Sequence, residues 1–298
     1  MSADFTNTKE KKVHLIQFSP EFSQGVPLDL EMGWHDPLEL VAGFITNIHK
    51  ASRRTYRYEI VKHDIIQDVT PLLGDFKYPI PDLISVSTGA KEPRVPMGFD
   101  YKWLIEEFNV IKNVSSRVID EVWVMGYPYA GLFEAVMGGP NPLYLTGPAL
   151  KDTEESLRRF VIMGFNCGED QGAMLEAFIH RAEACMSHVY DKYPDNMNMW
   201  KAFSSQEAVG TAHRAPNSTK DFDWNNKRYV QSTCEDWLTY PDLTGRTTTV
   251  NCSNWGFGSR ILHHLWWLKH LPNRVEKTKG IFNNWWHYVM TPDWIAQS

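Results

Sequence analysis

The sequence predicts an α/β protein: a largely parallel sheet flanked by helices, followed by a loop-rich part that is rich in tryptophan. Two observations predict this class. Short β-branched runs alternate with helical patterns as far as residue 190, an order typical of strands joined by covering helices. From residue 191 onward regular patterns become rare, and this part contains nine of the twelve tryptophans.

The individual elements follow from periodicity and length. Apolar and β-branched runs of strand length predict strands at residues 12–18, 56–62, 83–87, 121–126 and 159–165. Apolar residues at steps of three and four predict helices at residues 38–50, 101–111, 172–190 and 259–271. We expect a sheet domain at residues 1–190 with residues 191–298 packed on it, and the two could equally form a single domain.

Composition bounds the class of protein. The 298 residues are 43% hydrophobic and 13% aromatic, which is ample for a well-buried core. The formal charge of −6 argues against nucleic-acid binding, which needs broad phosphate neutralisation. No apolar run approaches the roughly 20 residues of a membrane span, and the start has no signal-peptide core. We expect a cytoplasmic chain without membrane contact, or an extracellular one if a leader peptide has been removed.

The four cysteines are compatible with two states. Cys167, Cys185, Cys234 and Cys252 contain no C-x-x-C pair, so a zinc ribbon or a thioredoxin-type motif is not supported. Cys234 and Cys252 could form a disulfide in an oxidising compartment. Buried free thiols are the favoured interpretation.

The helix at residues 172–190 has the most informative spacing in the chain. At about 100° per residue, steps of four and three place Glu176, His180 and Glu183 within roughly 60° of one another. Two carboxylates and an imidazole can therefore converge on one metal ion at the edge of the apolar stripe. The competing interpretation is an ordinary solvated helix, because Glu and His side chains four apart also stabilise exposed helices.

His213 is the predicted third protein ligand. Catalytic zinc sites take three protein ligands, with water in the open position, and the metal makes that water a nucleophile at neutral pH. We expect His180, Glu183 and His213 to bind a divalent metal, most plausibly zinc, with Glu176 as general base. The pattern His-x-x-Glu at His180 and Glu183, followed later by another His, resembles the ligand pattern of the zinc carboxypeptidases.

Loops after the predicted strands provide the other site candidates, because sites in open α/β sheets form beyond the carboxyl ends of the strands. These loops are at residues 19–21, 126–131 and 164–170. We expect Glu134, Tyr127 and Tyr129 to line the cleft, where the tyrosines could donate to a developing oxyanion. No glycine spacing matches a nucleotide-binding motif.

Two further patterns have structural alternatives. Asp221, Asp223 and Asn225 resemble the opening of a calcium loop, but the residues needed at positions six and twelve are missing, which favours Asx-turn capping. His263 and His270, seven apart on the last predicted helix, could bind a metal. A packed aromatic helix whose histidines bond to backbone is favoured there.

These observations predict a metal-dependent hydrolase acting on a peptide, amide or glycan substrate. Two alternatives stay open. One is a metal-free glycan-active enzyme that uses Glu134 with Glu176 or Glu183 as paired carboxylates. The other is a non-catalytic glycan-binding module, in which exposed indoles of the tryptophan-rich part contact sugar rings.

Several segments resemble a family of uncharacterised bacterial proteins, many of them exported. The resemblance spans most of the chain and rests on MGWHDP at 32–37, DEVWVMGYPY at 120–129, MGFN at 163–166, FIHRAE at 178–183 and HHLWWL at 263–268. It implies no activity. Exported relatives would imply an extracellular polymer as substrate.

Overall fold

The structure is a computed structural model that describes residues 8–95 and 97–297. The predicted α/β class is confirmed: a five-stranded, mostly parallel sheet is accompanied by helices. Residue contacts divide the chain into two compact units. The sheet unit contains Glu10–Thr46 and Arg57–Ala177, and the Trp-rich unit contains Asn47–Tyr56 and the chain from Phe178 onward.

Strands and helices alternate in the first half of the chain. The strands are β1 (Lys9–Phe18), β2 (Glu21–Ser23), β3 (Val26–Pro27), β4 (Tyr56–Ile66), β5 (Glu121–Gly126), β6 (Ala135–Gly138), β7 (Phe160–Asn166), β8 (Val230–Ser232), β9 (Thr248–Val250), β10 (Asn273–Thr278) and β11 (Ile281–Asn284). The helices are α1 (Leu28–Glu31), α2 (Pro37–Ala51), α3 (Ile80–Ser87), α4 (Tyr101–Glu107), α5 (Val110–Ser115), α6 (Gln171–Tyr190), α7 (Met199–Phe203), α8 (Arg260–His270) and α9 (Trp286–Met290).

The sheet has the strand order β4-β1-β5-β7-β6. β1 pairs in parallel with β5, and β5 with β7, whereas β6 is antiparallel to β7 at the edge. Every residue of β5 and all but the last of β7 are buried, as expected of parallel strands covered on both faces. Gly126 pairs with Asn166, so the carboxyl ends of these two strands lie side by side.

Two predicted elements differ in the structure. Residues 83–87 belong to helix α3 rather than to a strand, because Pro81 lies in the first helical turn, where its missing N–H breaks no helical hydrogen bond. The helix predicted at residues 101–111 is interrupted at Asn109, whose φ of 49° is left-handed. Asparagine tolerates this conformation better than most residues, so α4 ends and α5 begins there.

The boundary between the units also differs from the predicted one. It falls inside α6, between Ala177 and Phe178, rather than after residue 190. A helical pattern reports which face of the helix is apolar. It does not report which neighbours each end of the helix packs against, so this boundary has no signal in the sequence.

The core of the Trp-rich unit is built from indole rings. Seven of the nine tryptophans after residue 190 are buried: Trp200, Trp224, Trp237, Trp255, Trp267, Trp285 and Trp286. Their ring faces are used in packing and cannot be offered to a sugar. All four cysteines are buried and free, so the free-thiol interpretation is confirmed. Among the described residues, none of the helices has both the length and the apolarity that a membrane span requires.

A buried histidine makes the stability of the Trp-rich unit dependent on pH. His287 Nδ1 lies 2.6 Å from the Tyr56 hydroxyl oxygen, and burial, assisted by the nearby Lys9 charge, lowers the pKa of His287 to about 4. The unfolded chain, with a pKa near 6.5, takes up the proton first. The stability contributed by neutral His287 is therefore complete above pH 6.5 and is lost as the pH falls towards 4.

We expect His287→Gln to remove about 1–3 kcal/mol of the decline in unfolding free energy between pH 7 and pH 4.5. Urea unfolding of both proteins at the two pH values measures this difference. His188→Gln, which changes a less buried histidine on α6, is the control. An equally steep decline in wild type and His287→Gln would contradict the assignment.

Candidate functional site

Helix α6 contains three of the predicted site residues. It begins after Asp170, whose carboxylate accepts hydrogen bonds from the N–H groups of Gly172 at 2.8 Å and Ala173 at 3.3 Å. Its apolar stripe is buried as predicted: Leu175, Phe178, Ile179, Ala182, Met186 and Val189. The polar triplet follows the edge of that stripe: Glu176 is 9% exposed, and His180 and Glu183 are half-buried. Because α6 is one unbroken helix, the spacing within the triplet is fixed.

A loop at residues 210–218 brings His213 to α6. Glu183 Oε1 accepts a hydrogen bond from the Ala212 N–H at 2.9 Å, and His264 Nε2 lies 3.3 Å from the Ala212 carbonyl oxygen. Both backbone groups of the residue before His213 are thereby fixed by side chains. Glu183 is therefore an anchor of this loop.

Gly210 sets the course of the same loop. Its φ of 84° is left-handed, and an added Cβ would lie only 2.1 Å from the Arg214 carbonyl oxygen, so no other residue fits. That carbonyl accepts the Thr211 N–H at 2.9 Å, which closes the turn around His213. The Trp267 indole N–H donates to the Gly210 carbonyl at 3.0 Å. The turn is thus fixed at both ends.

His180 and His213 are adjacent. Their Nε2 atoms are 3.1 Å apart, and the rings meet edge to face with an interplanar angle of 84°. One Nε2 donates and the other accepts, according to the tautomers. Two imidazole nitrogens bound to one tetrahedral zinc at 2.0–2.1 Å lie about 3.3 Å apart. The pair therefore already has the separation that a shared metal ion requires.

Glu176 is the carboxylate nearest to His180 on the helix. The ligand atoms of Glu176 and His180 lie within 4.8 Å of each other, and those of His180 and His213 do so too. The sequence assigned the ligand role to Glu183 and the general-base role to Glu176. The observed contacts favour Glu176 as the carboxylate beside the histidines, with Glu183 bonded to the loop backbone. These roles stay predictions.

A pocket of about 340 Å³ opens at the carboxyl ends of β5 and β7 in the sheet unit. Tyr127, Tyr129 and Glu134 line it, as expected of the loop after β5. The Tyr127 hydroxyl oxygen accepts the Thr70 N–H at 2.7 Å, and burial raises the pKa of Tyr127 to about 12. Tyr127 is therefore a neutral hydroxyl at physiological pH and can act as a hydrogen-bond donor.

The pocket also contains residues that sequence reasoning missed. Asn166 and Glu169, from the loop after β7, line it together with Ala173 and Ala177 of α6. The predicted site loop at residues 164–170 includes the first two, but no pattern distinguished them from their neighbours. The lining does not include Glu176. The predicted residues thus form two groups, one around this pocket and one on α6 and the loop at residues 210–218.

The residues of the calcium-like pattern cap a loop instead. Asp223 Oδ2 accepts hydrogen bonds from the Thr219 N–H at 3.0 Å and from the Asn226 side chain at 2.9 Å. Asp221 pairs with the Arg214 guanidinium at 2.6 Å. These contacts support the Asx-turn interpretation that the sequence favoured.

Comparison with protein-family models, curated proteins and solved structures finds no match for this chain. The resemblances to the bacterial family and to the zinc carboxypeptidases therefore stay predictions, and the function has to be argued from the site alone.

Proposed function

We propose that this protein is a metal-dependent hydrolase whose zinc ion is bound by His180, His213 and Glu176. The observation that supports this most directly is the 3.1 Å separation of the two Nε2 atoms, on half-buried rings that solvent can reach. Two histidines and one glutamate form a ligand set typical of catalytic zinc, which leaves a position for water. The bound metal would lower the pKa of that water towards 7.

Glu183 has a positioning role in this proposal. Its bond to the Ala212 N–H keeps His213 beside His180, whether or not metal is bound. Since metal-bound water is itself a competent nucleophile at neutral pH, Glu176 need not be the general base. The substrate class stays as the sequence suggested: a peptide, an amide or a glycan.

Zinc content tests the proposal. We expect His180→Ala and His213→Ala each to bind one equivalent of zinc less than wild type after equilibration with excess metal and removal of free ions. His188→Ala, eight residues further along α6, is the matched control and should bind as wild type does. Equal zinc in all four proteins would refute the metal site.

Activity provides the second measurement. A panel of chromogenic peptide amides, esters and glycosides should reveal turnover that a chelator abolishes and added zinc restores. A variant that has lost the metal should be inactive on the same substrate. Turnover that survives complete metal removal would contradict this function.

The metal-free alternative has one specific observation in its favour. Glu134 and Glu169 line the same pocket beside Tyr127 and Tyr129, so two carboxylates and two aromatic rings meet where a sugar could bind. Glu169 takes the place of Glu176 or Glu183 as the second carboxylate. This alternative predicts glycosidase activity that a chelator leaves unchanged and that Glu134→Gln abolishes.

A further inference from the structure

A second group of metal-ligand side chains lies within the Trp-rich unit. The ligand atoms of Cys234, Glu235 and His270 lie within 4.8 Å of one another. Cys234 and Glu235 open the 3-10 helix Cys234–Thr239, and His270 is the last residue of α8, which packs against that helix. The group therefore joins two elements that are far apart in sequence.

The His270 ring is oriented as a metal ligand requires. Its Nδ1 lies 2.7 Å from the Trp266 carbonyl oxygen, and because a carbonyl only accepts, Nδ1 has the proton. In the neutral ring Nε2 then has a free lone pair. Histidines that bind metals usually donate their other N–H in this way.

The His270 Nε2 atom is buried without satisfaction. It makes no hydrogen bond to the described residues, although its residue is only 4% exposed. The nearest acidic atom, Glu235 Oε1, is 3.5 Å away, beyond good hydrogen-bond geometry. A buried polar atom without a partner is costly, so this lone pair, directed at a carboxylate and a thiol, indicates a ligand.

The group has one face in the interior and one towards solvent. Cys234 is fully buried, whereas the Glu235 side chain is 47% exposed and lines a surface hollow with Asp242 and Arg246. A cation could reach the group from this hollow, and water from the same side could occupy a fourth coordination position.

We propose that Cys234 Sγ, Glu235 and His270 Nε2 form a second zinc site. In a tetrahedral site with Zn–S near 2.3 Å and Zn–N near 2.0–2.1 Å, the ligand atoms are about 3.3–3.7 Å apart, so small side-chain rotations close the group around an ion. A thiolate and an imidazole select zinc over calcium or magnesium. Binding releases the thiol proton of Cys234 to solvent.

Cobalt titration of the purified full-length chain tests this site independently of the proposed hydrolase centre. A thiolate bound to Co²⁺ gives an intense near-ultraviolet charge-transfer band, which a site made only of histidine and carboxylate lacks. We expect the band in wild type and in His180→Ala. It should be absent in Cys234→Ser and retained in Cys252→Ser, which changes another buried free cysteine.

A surface variant keeps the test valid if Cys234→Ser does not fold. Because Glu235 is half-exposed, Glu235→Gln should fold normally, and we expect about tenfold weaker cobalt binding with the band retained at saturation. Asp242→Asn, on the same hollow, should bind as wild type does. No band in reduced, folded wild type, a band that survives in Cys234→Ser, or unchanged affinity in Glu235→Gln would overturn the proposal.

Discussion

Replacing Gly210 with alanine is expected to lower the free energy of unfolding by about 3 kcal/mol and to weaken zinc binding beside His213. A left-handed φ of 84° costs a non-glycine residue about 1 kcal/mol. The new Cβ would also lie 2.1 Å from the Arg214 carbonyl oxygen, a backbone atom that cannot rotate away, and such overpacking costs about 1–3 kcal/mol more. Relief requires the turn to open, which moves His213 away from His180.

Gly280→Ala is the matched control for this prediction. Gly280 has a φ of 85°, but an added Cβ there meets no atom within 4 Å. Its substitution should therefore cost only the backbone strain of about 1 kcal/mol and leave zinc binding unchanged. Urea unfolding and competition for zinc by a chromogenic chelator measure the two effects. Equal losses of stability in the two variants would show that the contact with Arg214 does not shape the loop.

The sheet could be predicted where local pattern and burial coincide. β5 and β7 are uninterrupted apolar runs because both of their faces are covered, and their bounds were predicted within a residue. β6 was missed, since four residues are too few for a periodic signal, and its antiparallel partner is set by tertiary contacts. A short apolar run at residues 83–87 fits a strand or a helix equally well, and the preceding proline decided for the helix.

The candidate site shows the same limit. The clustering of Glu176 and His180 follows from helix periodicity, which is local and therefore readable in the sequence. Their spacing cannot distinguish a ligand from an anchor, and this is why Glu183 was expected at the metal rather than at the Ala212 N–H.

The histidines of α8 illustrate how spacing alone misleads. Seven residues apart, His263 and His270 were considered as a metal pair. In the structure His263 stacks on Trp224 with ring centroids 5.1 Å apart, while His270 faces Glu235. The expectation that histidines of this helix bond to backbone is confirmed for His264 and His270. Cys234 had no local signal linking it to His270, because nothing in one sequence reports contacts between distant segments.

Trp285→Ala is expected to destabilise the protein by about 3–5 kcal/mol, the largest loss that we predict. Trp285 is fully buried at the centre of an aromatic cluster. Its ring centroid lies 5.3–6.2 Å from those of Tyr190, Trp200, Phe203, Trp237 and Tyr240. The Trp-rich unit has only short strands and helices, so regular elements cannot supply its core. Large indoles provide the apolar area instead, and removal of the central one leaves a cavity that rigid neighbouring rings cannot fill.

Trp294→Ala distinguishes this core role from a general need for tryptophan. Trp294 is half-buried and stacks on Phe282 with centroids 4.8 Å apart, outside the cluster around Trp285. Its loss should cost about 1–2 kcal/mol, because partly exposed area is removed and solvent can fill the space. Urea unfolding monitored by far-ultraviolet circular dichroism avoids the fluorescence change that each substitution causes. If both variants lose the same stability, the cluster around Trp285 is not the core of the unit, and the concentration of indoles in this half of the chain needs another cause.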